Sequence, residues 1–145
     1  MAEWLSGLCK LQVRLAKHGE PVCPGSVYLA PPEYHCTVNS SRQIMLVERA
    51  EQDIYRPSCD RLLESVATVY RADAIGIILT GMGRDGAQGI ARIHGNGGIT
   101  MGQNAETSLI YGMNRCAIES GSVQKVLPES EIAAAMLKLA GVTGC

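Results

Sequence analysis

From Pro57 onward the chain alternates between helix-like and strand-like stretches, and this alternation restricts its possible folds more than any other feature. "RPSCDRLLESVATVYRA" begins with Pro57, suited to the first turn of a helix, and carries Leu62, Leu63, Val66 and Tyr70 as an apolar face. "AIGIILT" is a nearly unbroken apolar run, the pattern of a parallel strand buried on both faces. "DGAQGIARIHG" then reads as a helix closed by Gly95, and "GGITMGQ" as a strand. "TSLIYGMNRCAIESG" reads as a helix closed by Gly121, "SVQKVLP" as a short strand, and "ESEIAAAMLKLAG" as a last helix ending at Gly141. The order α-β-α-β-α-β-α predicts an α/β fold with a mostly parallel, doubly wound sheet.

The beginning is less regular. Trp4, Leu5, Leu8 and Leu11 recur at helical spacing, with Gly7 against it, while "LQVRLA" alternates as a strand near 11–16 would. Both readings stay open. "GEPVCPG" is a turn region, and "SVYLAPP", "HCTVN" and "QIMLVE" read as short strands. The last two form an antiparallel β-hairpin around "SSR". A length of 145 residues suits a single domain with one core.

Composition narrows the function classes. With 13 basic and 14 acidic residues the net charge is -1, so no strong field favours nucleic acid or an anionic membrane. No apolar run is long enough for membrane insertion, and "MAEWLSGLCK" lacks the basic start and apolar stretch of a signal peptide. The six cysteines form no C-x-x-C pair and no zinc-like cluster with histidine, which predicts reduced thiols in a cytoplasmic protein, most of them small core residues, with Cys145 exposed. No metal and no cofactor is implied.

The loop "LTGMGRDGAQGI" has the glycine spacing G-x-G-x-x-G between a strand and a helix, which is the spacing of a dinucleotide-binding turn. Asp85 sits where a pyrophosphate would meet the helix N-terminus. At ~4 Å and an effective dielectric of ~20, one unit-charge repulsion there costs about 4 kcal/mol. Two other readings are open. Asp85 caps the following helix, or it is a functional carboxylate at a strand end, able to orient a histidine and stabilise its cation.

Four segments in order resemble one family. "AIGIILTGMGRDGAQGI", "VCPGSVYLAPPEYHCTV", "YRPSCDRLLESVA" and "ITMGQNAETSLIYGMNRCAIESG" are similar to successive motifs of the CheB chemotaxis protein-glutamate methylesterases. Asn114 replaces the proline of the family's GMP-R motif. The resemblance implies hydrolysis of glutamyl methyl esters on the cytoplasmic region of methylated chemoreceptors, by a Ser-His-Asp triad on a parallel α/β sheet. It assigns Asp85 to the triad, and Thr80, Gly81, Met82 and Gly83 to the loop beside the active site. Arg56, Gln103 and Glu106 are candidate substrate or receptor contacts, the alternative being solvated or ordinary loop polarity.

The family's triad serine and histidine belong to earlier motifs that this sequence does not contain. Residues 1–145 therefore read as one domain, the C-terminal portion of the catalytic domain, without the first strands of the family fold. His18 falls in a turn, His35 reads as a hydrogen-bonded or solvated strand-edge residue, and His94 lies near a helix end. Ser58 reads as a helix cap. The chain alone is expected to be inactive, with Asp85 partly accessible from a cleft lined by Thr80 and Met82. The alternative functions are a catalytically silent receptor-binding module and, third, a nucleotide-binding domain. Loss of the first strands leaves an open sheet edge, which predicts self-association.

Overall fold

The computed structural model describes residues 2–8 and 10–141. Both readings of the first segment are realised in turn: α1 (Ala2–Ser6) is followed by β1 (Gln12–Leu15). β2 (Ser26–Leu29) runs parallel to β1. β3 (Tyr34–Val38) and β4 (Ile44–Glu48) make the expected antiparallel hairpin, with Tyr34 opposite Glu48 and Val38 opposite Ile44. Asn39 closes its turn, its Oδ1 accepting from the amides of Ser41 and Gln43 at 3.0 Å each.

The second half follows the alternation. Its elements are α2 (Cys59–Tyr70), β5 (Ile75–Ile78), α3 (Ala87–Gly95), β6 (Ile99–Gln103), α4 (Met113–Glu119), β7 (Lys125–Leu127) and α5 (Glu129–Leu139). β5, β6 and β7 form a parallel sheet in that order. The parallel pairs lie in two separate sheets, with the hairpin apart from both.

Three boundaries differ from expectation. Pro57 precedes the cap of α2 instead of lying in its first turn, and Ser58 is the N-cap, accepting from the Arg61 amide. α3 includes Gly95, and the residue in the left-handed region is Gly97, at φ 85°. α4 begins only at Met113, because residues before it pair with the glycine loop instead of with their own chain neighbours. Ile110 O accepts from Gly81 N at 3.0 Å, and the Met113 amide donates to Gly81 O at 2.9 Å.

α2 is the joint of the molecule. Leu62 packs on the core of the first half, Ala16, Cys36 and Ile44. Its neighbour Leu63 faces the other way, into the buried clusters of Ala67, Ala74 and Ile93 and of Ile78, Ile90 and Ala117. α2 crosses α3 at Gly89, where a Cβ would press on the Leu63 side chain and lie 3.3 Å from the Asp60 backbone. Only glycine allows that approach.

Among the described cysteines only Cys36 is buried. Cys116 is half-buried, and Cys23 and Cys59 are exposed, one in a turn and one at the first position of α2. That corrects the expectation that most thiols sit in the core. Cys9 and Cys145 lie outside the described residues. No helix among the described residues is long and apolar enough to cross a membrane.

Candidate active site

β5 ends at Ile78 and delivers the glycine loop at its carboxyl end, with Asp85 two residues before α3. Asp85 does not cap α3, whose N-cap is Gly86 at φ 96°, without a side-chain bond. Its carboxylate crosses to the start of α2. Oδ1 accepts from Ser58 Oγ and from the Asp60 amide, both at 2.9 Å, and Oδ2 accepts from the Cys59 amide at 2.6 Å. The charge thus rests on the positive end of a three-turn helix, which supplies N–H groups that α2 cannot satisfy itself.

Asp85 is 4% exposed. The expectation of a partly accessible carboxylate is corrected: the short side chain is drawn under the loop by the three donors. A carboxylate offers about four acceptor positions, so one, on Oδ2, lies beyond these three bonds, and the Cys59 thiol stands next to the carboxylate. Thr80 and Met82 are exposed, Met82 at 79%.

The rest of the loop is fastened from below. Gln103 is buried; its Oε1 accepts from the Thr80 amide at 2.8 Å and its Nε2 donates to Thr107 O at 2.8 Å. The Thr80 hydroxyl accepts from the Ile110 amide at 2.9 Å. Tyr55, from the segment before α2, accepts from the Arg84 amide through its hydroxyl at 3.2 Å. Each glycine of the motif has a side chain against it: Met113 at Gly81, Tyr55 at Gly83, and Ile78, Cys59 and Leu63 at Gly86. The glycines serve close packing, which removes the main support of the dinucleotide reading.

Of the candidate contacts, Arg56 is exposed, and its guanidinium holds the preceding turn by donating to Asp53 O and Glu51 O, both at 2.7 Å. Glu106 is exposed on the loop after β6. The histidines lie elsewhere. His18 Nδ1 is 3.2 Å from both the amide and the carbonyl of Leu46, and His94 is exposed near the end of α3. His35 is fully buried between Asp53 and the Ser58 amide, not solvated.

Sequence reasoning missed Tyr55 and Asp53. Both sit in a stretch without periodicity, just before the "RPS" that opens the next helical segment. Cys59 was likewise not singled out. Although the residue as a whole is exposed, desolvation of its thiol and then the charge of Asp85 push the thiol up to about 11, which disfavours the nucleophilic thiolate near neutral pH. Among the described residues no group of His, Cys, Asp and Glu is arranged to hold a metal ion.

A family model described as CheB methylesterase matches residues 1–136. The chain belongs to the CheB methylesterase family. It is 50% identical over 143 residues to protein-glutamate methylesterase/protein-glutamine glutaminase 3 of Paramagnetospirillum magneticum, covering 99% of this chain and 40% of that protein. It is 41% identical to the protein-glutamate methylesterase FrzG of Myxococcus xanthus, covering 95% of this chain and 41% of that protein. The crystal structure of the Thermotoga maritima CheB methylesterase catalytic domain superposes with a TM-score of 0.90 at 33% identity, over 95% of this chain and 75% of that one. The chain thus spans less than half the length of the curated relatives it matches. The match bears out the α/β fold with its mostly parallel strands and antiparallel pair.

Proposed function

We propose that this chain supplies the acid of a Ser-His-Asp hydrolase that cleaves glutamyl methyl esters on the cytoplasmic region of chemoreceptors, in the cytoplasm. The carrying observation is Asp85: a buried carboxylate at the carboxyl end of a parallel strand, held by three donors, with a fourth acceptor position beside the Cys59 thiol. That position suits the N–H of a histidine, whose tautomer it would fix and whose cation it would stabilise. The serine then adds to the side-chain ester carbonyl, its proton passing to the histidine and on to the departing methanol. Water releases the glutamate. The printed names of relatives also include glutaminase, and the same attack on a glutamine amide releases ammonia.

Serine and histidine must come from a segment outside these residues, as the remainder of one catalytic domain, because the three local histidines are engaged or placed elsewhere. Thr80, Gly81, Met82 and Gly83 would border the reacting ester. Arg56 and Glu106 would meet the receptor from the surface, and Gln103 would act from beneath by holding the loop. The side of β5 away from β6 has no strand partner among the described residues, and Leu79 just beyond it is 47% exposed. That edge would recruit a second polypeptide, a copy of this chain when nothing else covers it.

The test is methanol release from methylated receptor. Chain 1–145 alone should give none. A longer protein carrying the serine and histidine should be active and should lose about 10³–10⁴-fold in kcat on Asp85→Asn. Release by 1–145 alone, abolished by Asp85→Ala and by mutation of one local serine, would overturn the assignment. Sedimentation at micromolar concentration tests the edge, a compact monomer counting against it.

A further inference from the structure

The three donors that hold Asp85 all come from residues 58–60, so their direction depends on what fixes the backbone at Ser58. One side chain does so from beneath. The Ser58 amide donates to Nδ1 of His35 at 3.1 Å. An amide can only donate, so Nδ1 carries no proton. The proton is on Nε2, which lies 2.8 Å from Asp53 Oδ2. The ring is therefore neutral, in the Nε2–H form. The other tautomer would set two N–H groups against each other at Ser58 and a bare lone pair against a carboxylate.

Asp53 is fixed in turn. Its Oδ2 also accepts from the Ala50 amide at 2.8 Å, and its Oδ1 accepts from Arg61 Nη2 at 2.8 Å. Arg61 lies on α2, and its own amide reaches Ser58 Oγ at 3.4 Å. Asp53, His35, Ser58 and Arg61 thus close a ring of hydrogen bonds around the turn that presents Asp85's donors. His35 is 0% exposed. A filler of that site would be apolar, whereas this one has both ring nitrogens partnered.

We propose that His35 and Asp53 are positioning residues for the Asp85 carboxylate, acting through the Ser58 amide to aim the first N–H groups of α2. The consequence for catalysis rests on Asp85 being the triad acid. The test below reads hydrogen bonds alone, so it can fail while that reading stands, and the reverse.

Two substitutions separate the two bonds of His35. In His35→Asn the side-chain oxygen stands near Nδ1 and can accept from Ser58, but cannot reach Asp53. In His35→Gln the amide nitrogen stands near Nε2 and can donate to Asp53, but nothing accepts from Ser58. Ring ¹⁵N spectra of chain 1–145 near neutral pH should show His35 neutral, with the proton on Nε2. Amide exchange at Cys59 and Asp60 should rise about tenfold in His35→Gln and stay within about twofold of the parent in His35→Asn. A purely space-filling histidine would give equal changes in both variants, spread along β3 and α2. That result, or an imidazolium or Nδ1–H ring in the parent chain, overturns the proposal. If neither variant folds, the ring spectra of the parent decide it.

Discussion

The half of the molecule after α2 buries Ile90, Ile93 and Met101 completely, while in the half before it Ile44, at 2%, is the most deeply buried aliphatic side chain among the described residues; both halves also expose large apolar side chains, Trp4 and Leu8 in the first and Met82 and Leu109 in the second. Charge is distributed the opposite way. Arg14–Glu20, Arg49–Glu33 and Arg61–Asp53 all join residues of the first half and the start of α2, where neutral His35 also bonds Asp53, and Arg115–Glu119 is the ion pair within the later half, among the described residues. Helix-on-sheet repeats build a core from neighbours in sequence. Short strands joined by long turns do not, and they are held by polar contacts of long range. Asp85 belongs to the second half by sequence and to the first helix by hydrogen bonding, so the candidate site depends on both kinds of order.

The largest expected effect tests this contrast directly. Ile93→Ala removes a 0% exposed side chain that packs on Ala67 and Ala74. It should cost about 3–4 kcal/mol, within the usual range for large-to-small changes in a core. Leu15→Ala, at a half-exposed position, should cost under about 1 kcal/mol. Urea titration of both variants measures the gap. Similar losses would mean that the first half has a core as tight as the second.

This contrast also explains what was legible in the sequence. Every strand of the later half was readable, because "AIGIILT" is a nearly unbroken apolar run, "GGITMGQ" follows a helix closed by glycine, and their crossovers are short. The hairpin was readable from its turn and alternation. α4 was drawn too long because residues 107–112 have helical composition but are captured by Thr80 and Gly81, a tertiary contact that no local pattern records. The place of Asp85 followed from the strand before it. Its burial did not, since its donors lie 25–27 residues away. The pairing of His35 with Asp53 was illegible for the same reason, both residues lying outside any repeating pattern.

At the joint itself, Cys59 gives a kinetic measure. A thiol held up to about 11 by partial burial and by Asp85 should react with iodoacetamide roughly 100-fold more slowly at pH 8 than an ordinary exposed thiol, in proportion to its thiolate fraction. Asp85→Asn should speed the reaction. An unchanged rate would separate the sulfur from the carboxylate and loosen the contact between the halves.

Acid should release the first half before the second. The Asp53 carboxyl is held below its ordinary value, first by the Ala50 amide, then by the hydrogen bond from His35 and the charge of Arg61. A depressed carboxyl stabilises the fold above its unfolded value and loses that contribution as pH falls through the folded one, so this effect belongs below about pH 4. Exchange followed by NMR on acidification should show the Ser58 and Ala50 amides opening while those of β5 and β6 stay protected. Simultaneous loss would show the two halves to be one cooperative unit.

The smallest effect sharpens the contrast between ion pairs. Arg115 and Glu119 stand four residues apart on α4, 3.8 Å from each other and 57% and 67% exposed. Arginine lies near the helix N-terminus and glutamate near its C-terminus, the unfavourable order against the helix dipole. Water screens the attraction, and the dipole opposes what remains. Arg115→Ala should therefore change stability by less than about 0.3 kcal/mol. Arg61→Ala should cost more, because it removes a guanidinium from Asp53, whose carboxylate also holds His35 and the Ala50 amide. Equal small effects would reduce the ring around Ser58 to ordinary surface pairing, and would leave the first half without the polar order that distinguishes it from the second.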